Sequence, residues 1–334
     1  MSDWLNRVKG HFWTVWPHLF GSRPLELDSI GRAWSHRIDE GEFQGIEGAG
    51  RFYSVEGART LAIVIHGLGA TPDSGYVQRM AHVCLQKGIS VLALALQGAD
   101  GRSADFYHAG YTNDLRAALA DPAIQAFENR FVVGFSLGGH IALCAAIDEM
   151  STQFDAVAAV CPPLSLRACQ RAFDQPLFNP YRRHCLKGLK QTIRHVHAQR
   201  RQQGISCALP MGRLSRIRSI ERWDNEIVAP RFGFADAHDY YKTVSVGARL
   251  GGLRVPCLVV ATTDDPMIPI GSVDAYLPHP NVDYKRLSLG GHVGFPAGLT
   301  LGFDGPPGLE MQLLAWFKTN LHGVHMSCSA IEST

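Results

Sequence analysis

The stretch Arg130-Phe-Val-Val-Gly-Phe-Ser-Leu-Gly-Gly-His140 decides the fold. It reads as a short apolar strand, Phe131 to Phe135, that runs through Ser136 into an Ala-rich helical run, Ile141 to Met150. Gly134-Phe135-Ser136-Leu137-Gly138 is then a G-x-S-x-G pattern set between strand and helix. The glycines have a mechanical reason. A serine on a strained strand-to-helix turn needs neighbours without side chains, because strand and helix approach closely there. The turn lifts the hydroxyl above the sheet edge and aims a helix N-terminus at it, which favours developing negative charge.

Outward from this stretch, strand-like and helix-like segments alternate. Arg51 to Glu56 alternates like a half-buried antiparallel strand, whereas Leu61-Ala-Ile-Val-Ile-His66 is continuously apolar, as a central parallel strand should be. Ile89 to Leu96, Ala156 to Val160, Pro256 to Thr262 and Val282 to Leu289 also read as strands. Helices are expected from about Ser74, over Tyr111 to Phe127, and over Pro307 to Leu321. This alternation predicts an α/β protein with a mostly parallel, doubly wound sheet. Its active site belongs at the carboxyl ends of the strands.

At Pro162-Pro163 the character changes. From Ser165 to Arg222 the chain is helical and basic, with thirteen Lys or Arg against only Asp174 and Glu221. Such an insertion reads as a helical lid over the strand ends, assigned to residues 163–249, with the core at 51–162 and 250–322. Its charge suits a solvated face, or attraction of an anionic substrate or of membrane headgroups. Residues 1–50 are expected to form an N-terminal arm packed on the core. The aromatics Trp4, Phe12, Trp13, Trp16 and Phe20 would alternatively suit an interfacial helix, which Pro17 would interrupt. Residues 323–334 read as a flexible tail.

The composition, 46% apolar and 19% charged, is that of a globular protein with a sizeable core, and a net charge of +2 argues for no particular polyanionic partner, so no nucleic-acid partner is expected. The eight cysteines are scattered without a C-x-x-C pair, which suits a reducing compartment and neither a disulfide framework nor a zinc site. With no signal peptide or membrane-length apolar run, a cytoplasmic protein is expected, with peripheral membrane contact open to it through the basic segment.

Partners for Ser136 lie further along. Asp264 and Asp265 follow a late strand, and His292 follows the last one between glycines that let its loop bend back. The order Ser, Asp, His is that of α/β-hydrolases. A serine hydroxyl is a poor nucleophile unless an imidazole takes its proton, and a buried carboxylate must hold the ring in the right tautomer. The strand-end His66-Gly67-Leu68-Gly69 would place the Leu68 N–H beside the nucleophile, where with the Leu137 N–H it forms an oxyanion hole. His66 itself reads as structural. No metal or organic cofactor is needed by this chemistry.

More specific blocks then stand out. They include His11-Phe-Trp-Thr-Val-Trp-Pro17, Tyr76-Val77, Tyr107-His-Ala-Gly110, Trp223-Asp224, Gly233-Phe-Ala-Asp-Ala-His-Asp-Tyr-Tyr241 and Gly290-Gly-His-Val-Gly-Phe295. With them the chain resembles the YheT-like branch of the α/β-hydrolases, the AB-hydrolase 4 family. The resemblance implies Ser136, Asp265 and His292 as triad and cleavage of carboxylic esters of short or medium acyl chains. Asp265 is preferred to Asp264 because in many α/β-hydrolases the acid stands four residues before a proline, here Pro269. The resemblance also makes the N-terminal aromatic stretch a family arm. One departure is Gln97-Gly98, where the family usually carries an N-x-R-G-like turn, and residues 28–50 match poorly. Alternatives with the same triad are acyl transfer to an alcohol and phospholipase or lysophospholipase action. A non-catalytic ligand-binding protein on the same fold is the reading from another class.

Overall fold

A computed structural model describes residues 8–14, 27–39, 41, 45–175, 180–206 and 211–321. The expectations for Trp4, Trp16, Pro17 and Phe20, and for the tail 323–334, fall outside the described residues.

Helix α1 covers residues 8–14, and α2 is the single turn Leu27–Ile30. An antiparallel pair follows, β1 (Arg32–Ile38) and β2 (Ile46–Tyr53). Then come β3 (Thr60–Ile65), α3 (Gly75–Gln86), β4 (Ser90–Ala95), α4 (Asn113–Ala120), α5 (Pro122–Gln125) and β5 (Asn129–Phe135). Helix α6 (Leu137–Ile147) leads to β6 (Ala156–Val160). From there to β7 (Cys257–Thr262) the described chain is helical: α7 (Leu166–Phe173), α8 (Pro180–Gln202), α9 (Ile220–Trp223), α10 (Ala229–Phe232) and α11 (Ala237–Val244). A π-helical turn, Asp224–Val228, joins α9 to α10. The chain ends in α12 (Ile270–Asp274), β8 (Val282–Leu287) and α13 (Leu309–Asn320).

The eight strands form one sheet in the order β1-β2-β4-β3-β5-β6-β7-β8, parallel from β4 onward. Alternate side chains serve opposite faces. Leu61, Ile63 and Ile65 point into the layer with α6, while Ala62 and Val64 meet α3 and α13 through Val77, Met80, Leu313 and Trp316. Helices therefore cover both faces, and the strands β3, β4, β5, β6 and β7, buried at all but one position or at every position, hold the centre.

Two expectations change. Residues 32–38 and 46–50 do not belong to an arm: they form β1 and most of β2, which extend the sheet antiparallel from β4, and β2 starts well before Arg51. The expected helix from Tyr111 to Phe127 is two helices, because Pro122 cannot continue one. Asp121 breaks the run with extended backbone and caps the second helix by accepting from the Ala123 N–H.

Candidate active site

Ser136 sits at the carboxyl end of β5, which pairs with β3 on one side and β6 on the other. Its φ of 52° is in the left-handed region, which for a non-glycine residue costs about 1–3 kcal/mol unless the surroundings enforce it. They do so here. The Ser136 N–H donates to the Val160 carbonyl, and a Cβ on Gly138 would fall 2.4 Å from the Ile65 carbonyl oxygen. Only glycine lets strand and helix meet this closely.

Three side chains separated by long stretches of sequence converge on that turn. His292 Nε2 lies 2.8 Å from Ser136 Oγ, and His292 Nδ1 lies 2.8 Å from Asp265 Oδ2. Asp265 Oδ1 accepts from the backbone N–H groups of Met267 and Ile268, at 2.7 and 2.9 Å. The carboxylate is thus held by its own turn and faces the ring with its other oxygen. Asp264 is half-buried and turns its backbone carbonyl toward Gly10. All three converging residues are buried.

The neighbouring amides sort themselves by their acceptors. The N–H groups of Gly67 and Gly69 donate to the hydroxyls of Tyr76 and Tyr107, at 2.9 and 2.8 Å. Between them, the Leu68 N–H has no protein acceptor among the described residues, nor has that of Leu137 at the start of α6. Both residues line the cavity above Ser136. His66 is buried beneath this loop. Its Nδ1 donates to the Gly67 carbonyl and its Nε2 accepts from the Leu96 N–H, and burial lowers its pKa to about 4, so the ring is neutral. Its role is to hold the loop.

Cys161 Sγ also comes close to Asp265 and His292. This set does not suit a metal. Both imidazole nitrogens are directed at Ser136 and Asp265, and burial, then Asp265, push the Cys161 thiol well above its ordinary range, so it stays protonated.

The cavity over Ser136 has a volume of about 760 Å³ and is roofed by the helical insertion. Leu166, Phe173, Leu189 and Trp223 from that insertion and Met267 from the core give it apolar walls. Such a size and lining are those of a small-molecule pocket. Gln97 is not among its lining residues. That side chain borders a separate small hollow with Asp114, and its Oε1 is buried without a hydrogen-bond partner among the described residues.

Sequence reasoning gave no individual role to Tyr76, Tyr107, Asp224 or Thr14; the only signal was their place inside blocks shared with a family. Asp224 lies in the cavity wall and accepts a 2.5 Å hydrogen bond from the Tyr241 hydroxyl. Burial pushes its pKa up to about 7. The folded protein therefore keeps this proton at pH values where the unfolded chain has lost it, and stability falls from about pH 4 until the folded group ionises. In Asp224→Asn that component is gone. Urea midpoints at pH 5 and pH 8 should show the wild type losing more stability than the variant over this interval. An equal loss in both would remove the assignment.

The pattern of the alpha/beta hydrolase family matches residues 62–298. The chain is 29% identical over 273 residues to YheT of Escherichia coli (strain K12), which bears an esterase name, a match covering 78% of this chain and 76% of that one. It is 26% identical over 254 residues to the monoacylglycerol lipase of Saccharomyces cerevisiae, covering 71% of this chain and 55% of the lipase. The solved structure of the Pyrococcus furiosus esterase Pf2001 superposes with a TM-score of 0.51 at 15% identity, over 81% of this chain and 87% of that one, a likeness of fold. The resemblance to YheT-like hydrolases read from the sequence is borne out.

Proposed function

The chain belongs to the alpha/beta hydrolase family, and from that premise we propose that it hydrolyses carboxylic esters of short or medium acyl chain through an acyl-enzyme on Ser136. The observation that carries this reading is the hydrogen-bonded chain Ser136–His292–Asp265 on the floor of an apolar cavity. Ser136 Oγ attacks the ester carbonyl as His292 Nε2 takes its proton, and Asp265 stabilises the imidazolium that forms. The N–H groups of Leu68 and Leu137 receive the oxyanion; in such sites one donor is worth about 3 kcal/mol of transition-state stabilisation. His292 then protonates the departing alcohol. Water, deprotonated by the same ring, releases the acid. No step calls on a metal or an organic cofactor.

The test is a panel of 4-nitrophenyl esters from acetyl to dodecanoyl, run beside labelling with a fluorophosphonate. The reading expects turnover that peaks at short or medium chains and label on Ser136. A folded protein with neither turnover nor label would refute it. Added ethanol separates hydrolysis from acyl transfer: the ethyl ester accumulates only if alcohol outcompetes water at the acyl-enzyme.

A second reading, lipid esters presented at an anionic surface, draws on helix α8. Arg183, Lys187, Arg194 and Arg201 are all exposed on it, and no acidic residue occurs from Gln175 to Ser219. Anionic headgroups would be attracted to such a face. No helix among the described residues is long and apolar enough to cross a membrane. Turnover of a long-chain monoacylglycerol or a lysophospholipid that rises in anionic over zwitterionic vesicles would favour this reading.

A further inference from the structure

Helix α1 is remote in sequence from every catalytic side chain, yet it touches both loops that carry the base and the acid. Thr14, on this helix, is buried and borders the cavity. Its hydroxyl donates to the Gly10 carbonyl at 2.7 Å and accepts from the backbone N–H of His292 at 2.8 Å. The approach is close on both sides. A Cβ on Gly10 would fall 1.9 Å from the Asp264 carbonyl oxygen, and one on Gly291 would fall 2.4 Å from the Gly10 carbonyl oxygen. His11 Nδ1 lies 2.7 Å from the Tyr181 hydroxyl, so the same helix also meets the start of α8.

The loop that α1 grips is strained. Val293, the next residue after His292, has a φ of 54°, a conformation that persists only where surrounding contacts over-determine it. A turn bond from the Gly291 N–H to the Gly294 carbonyl, at 2.8 Å, closes the loop but leaves the His292 N–H to find its acceptor elsewhere. Thr14 supplies that acceptor.

We propose that Thr14 is a positioning residue: its hydroxyl anchors the His292 backbone so that the imidazole stays in line with Ser136, which makes the N-terminal helix part of the active site. The proposal rests on the ester-hydrolase reading. A displacement of about 1 Å in such an array can cost 10²-fold in rate, and losing the Thr14 acceptor loosens the residue whose ring makes both catalytic contacts.

The test compares Thr14→Val and Thr14→Ala, which both remove the acceptor while differing in bulk, with Thr14→Ser, which keeps it. Turnover is measured on the ester that the wild type cleaves best, and melting is followed for each protein. We expect kcat to fall by about 10-fold to 100-fold in Val and Ala with KM within about twofold, because the lost interaction serves the transition state. The Ser variant should recover most of the rate. Unchanged kcat in a folded Val or Ala variant would overturn the proposal. So would a Ser variant as slow as the other two, or loss of cooperative folding in both Val and Ala, which would make Thr14 a structural residue. A wild type that neither turns over esters nor takes the fluorophosphonate would sink the ester-hydrolase reading and this one with it. Any of the other failures, with the wild type active, strikes Thr14 alone.

Discussion

Ser136→Ala is expected to lower kcat on the preferred ester by about 10⁴-fold to 10⁶-fold while the protein stays folded. Removing Oγ removes the atom proposed to carry the acyl group, and His292 loses the proton donor 2.8 Å from its Nε2. The residual rate would come from binding and from the Leu68 and Leu137 amides acting on direct attack by water, since knocking out the serine of a triad leaves about 10³-fold to 10⁴-fold catalysis over water. Stability should hold. Alanine inherits the same φ of 52°, and the backbone bonds that hold the turn, above all the Ser136 N–H to the Val160 carbonyl, do not involve the hydroxyl. Strained nucleophile positions are often suboptimal for stability, so a small rise in melting temperature would fit as well. The measurement is single-turnover kinetics with fluorophosphonate labelling as a second readout. Turnover within about tenfold of wild type in the folded variant would end the serine mechanism, since a true triad nucleophile is worth orders of magnitude more.

How well sequence anticipates structure in this chain depends on how each segment is buried. The strands β3 to β7 were readable because a strand covered on both faces is apolar at every position, as in Leu61–Ile65 and Val91–Leu94. The edge strand β1 has the opposite character: Arg32-Ala-Trp-Ser-His-Arg-Ile38 is exposed or half-exposed throughout, so no apolar rhythm marks it. Its partner β2 carries Gly48 and Gly50, which look like loop residues. Their smallness is required by packing, as a Cβ on Gly50 would fall 2.5 Å from the Ala93 carbonyl oxygen. The convergence of Ser136, Asp265 and His292 was legible because each follows a strand of one sheet, and strand ends share an edge. Thr14 was not. Its bond to His292 spans 278 positions of sequence, and no local pattern encodes a contact between a helix and a loop so far apart.

The choice between the two adjacent aspartates has a large expected effect and can be argued from bond directions. Asp265 Oδ1 is committed to the Met267 and Ile268 amides, which can only donate. In Asp265→Asn the amide oxygen must keep those two bonds, so the NH₂ group turns toward His292 Nδ1. The ring must then accept at Nδ1 and carry its proton on Nε2, facing Ser136, where it can no longer take the proton of the hydroxyl. This tautomer reversal is worth about 10⁴-fold in kcat in a serine protease with intact geometry, and a similar loss is expected here. Asp264→Asn should change kcat by no more than a few-fold, because its contact with the neighbouring helix is made by the backbone carbonyl, which the substitution leaves in place. Steady-state kinetics on the two variants, with circular dichroism to establish folding, decides between them. Collapse of activity in Asp264→Asn with survival in Asp265→Asn would reverse the assignment of the acid.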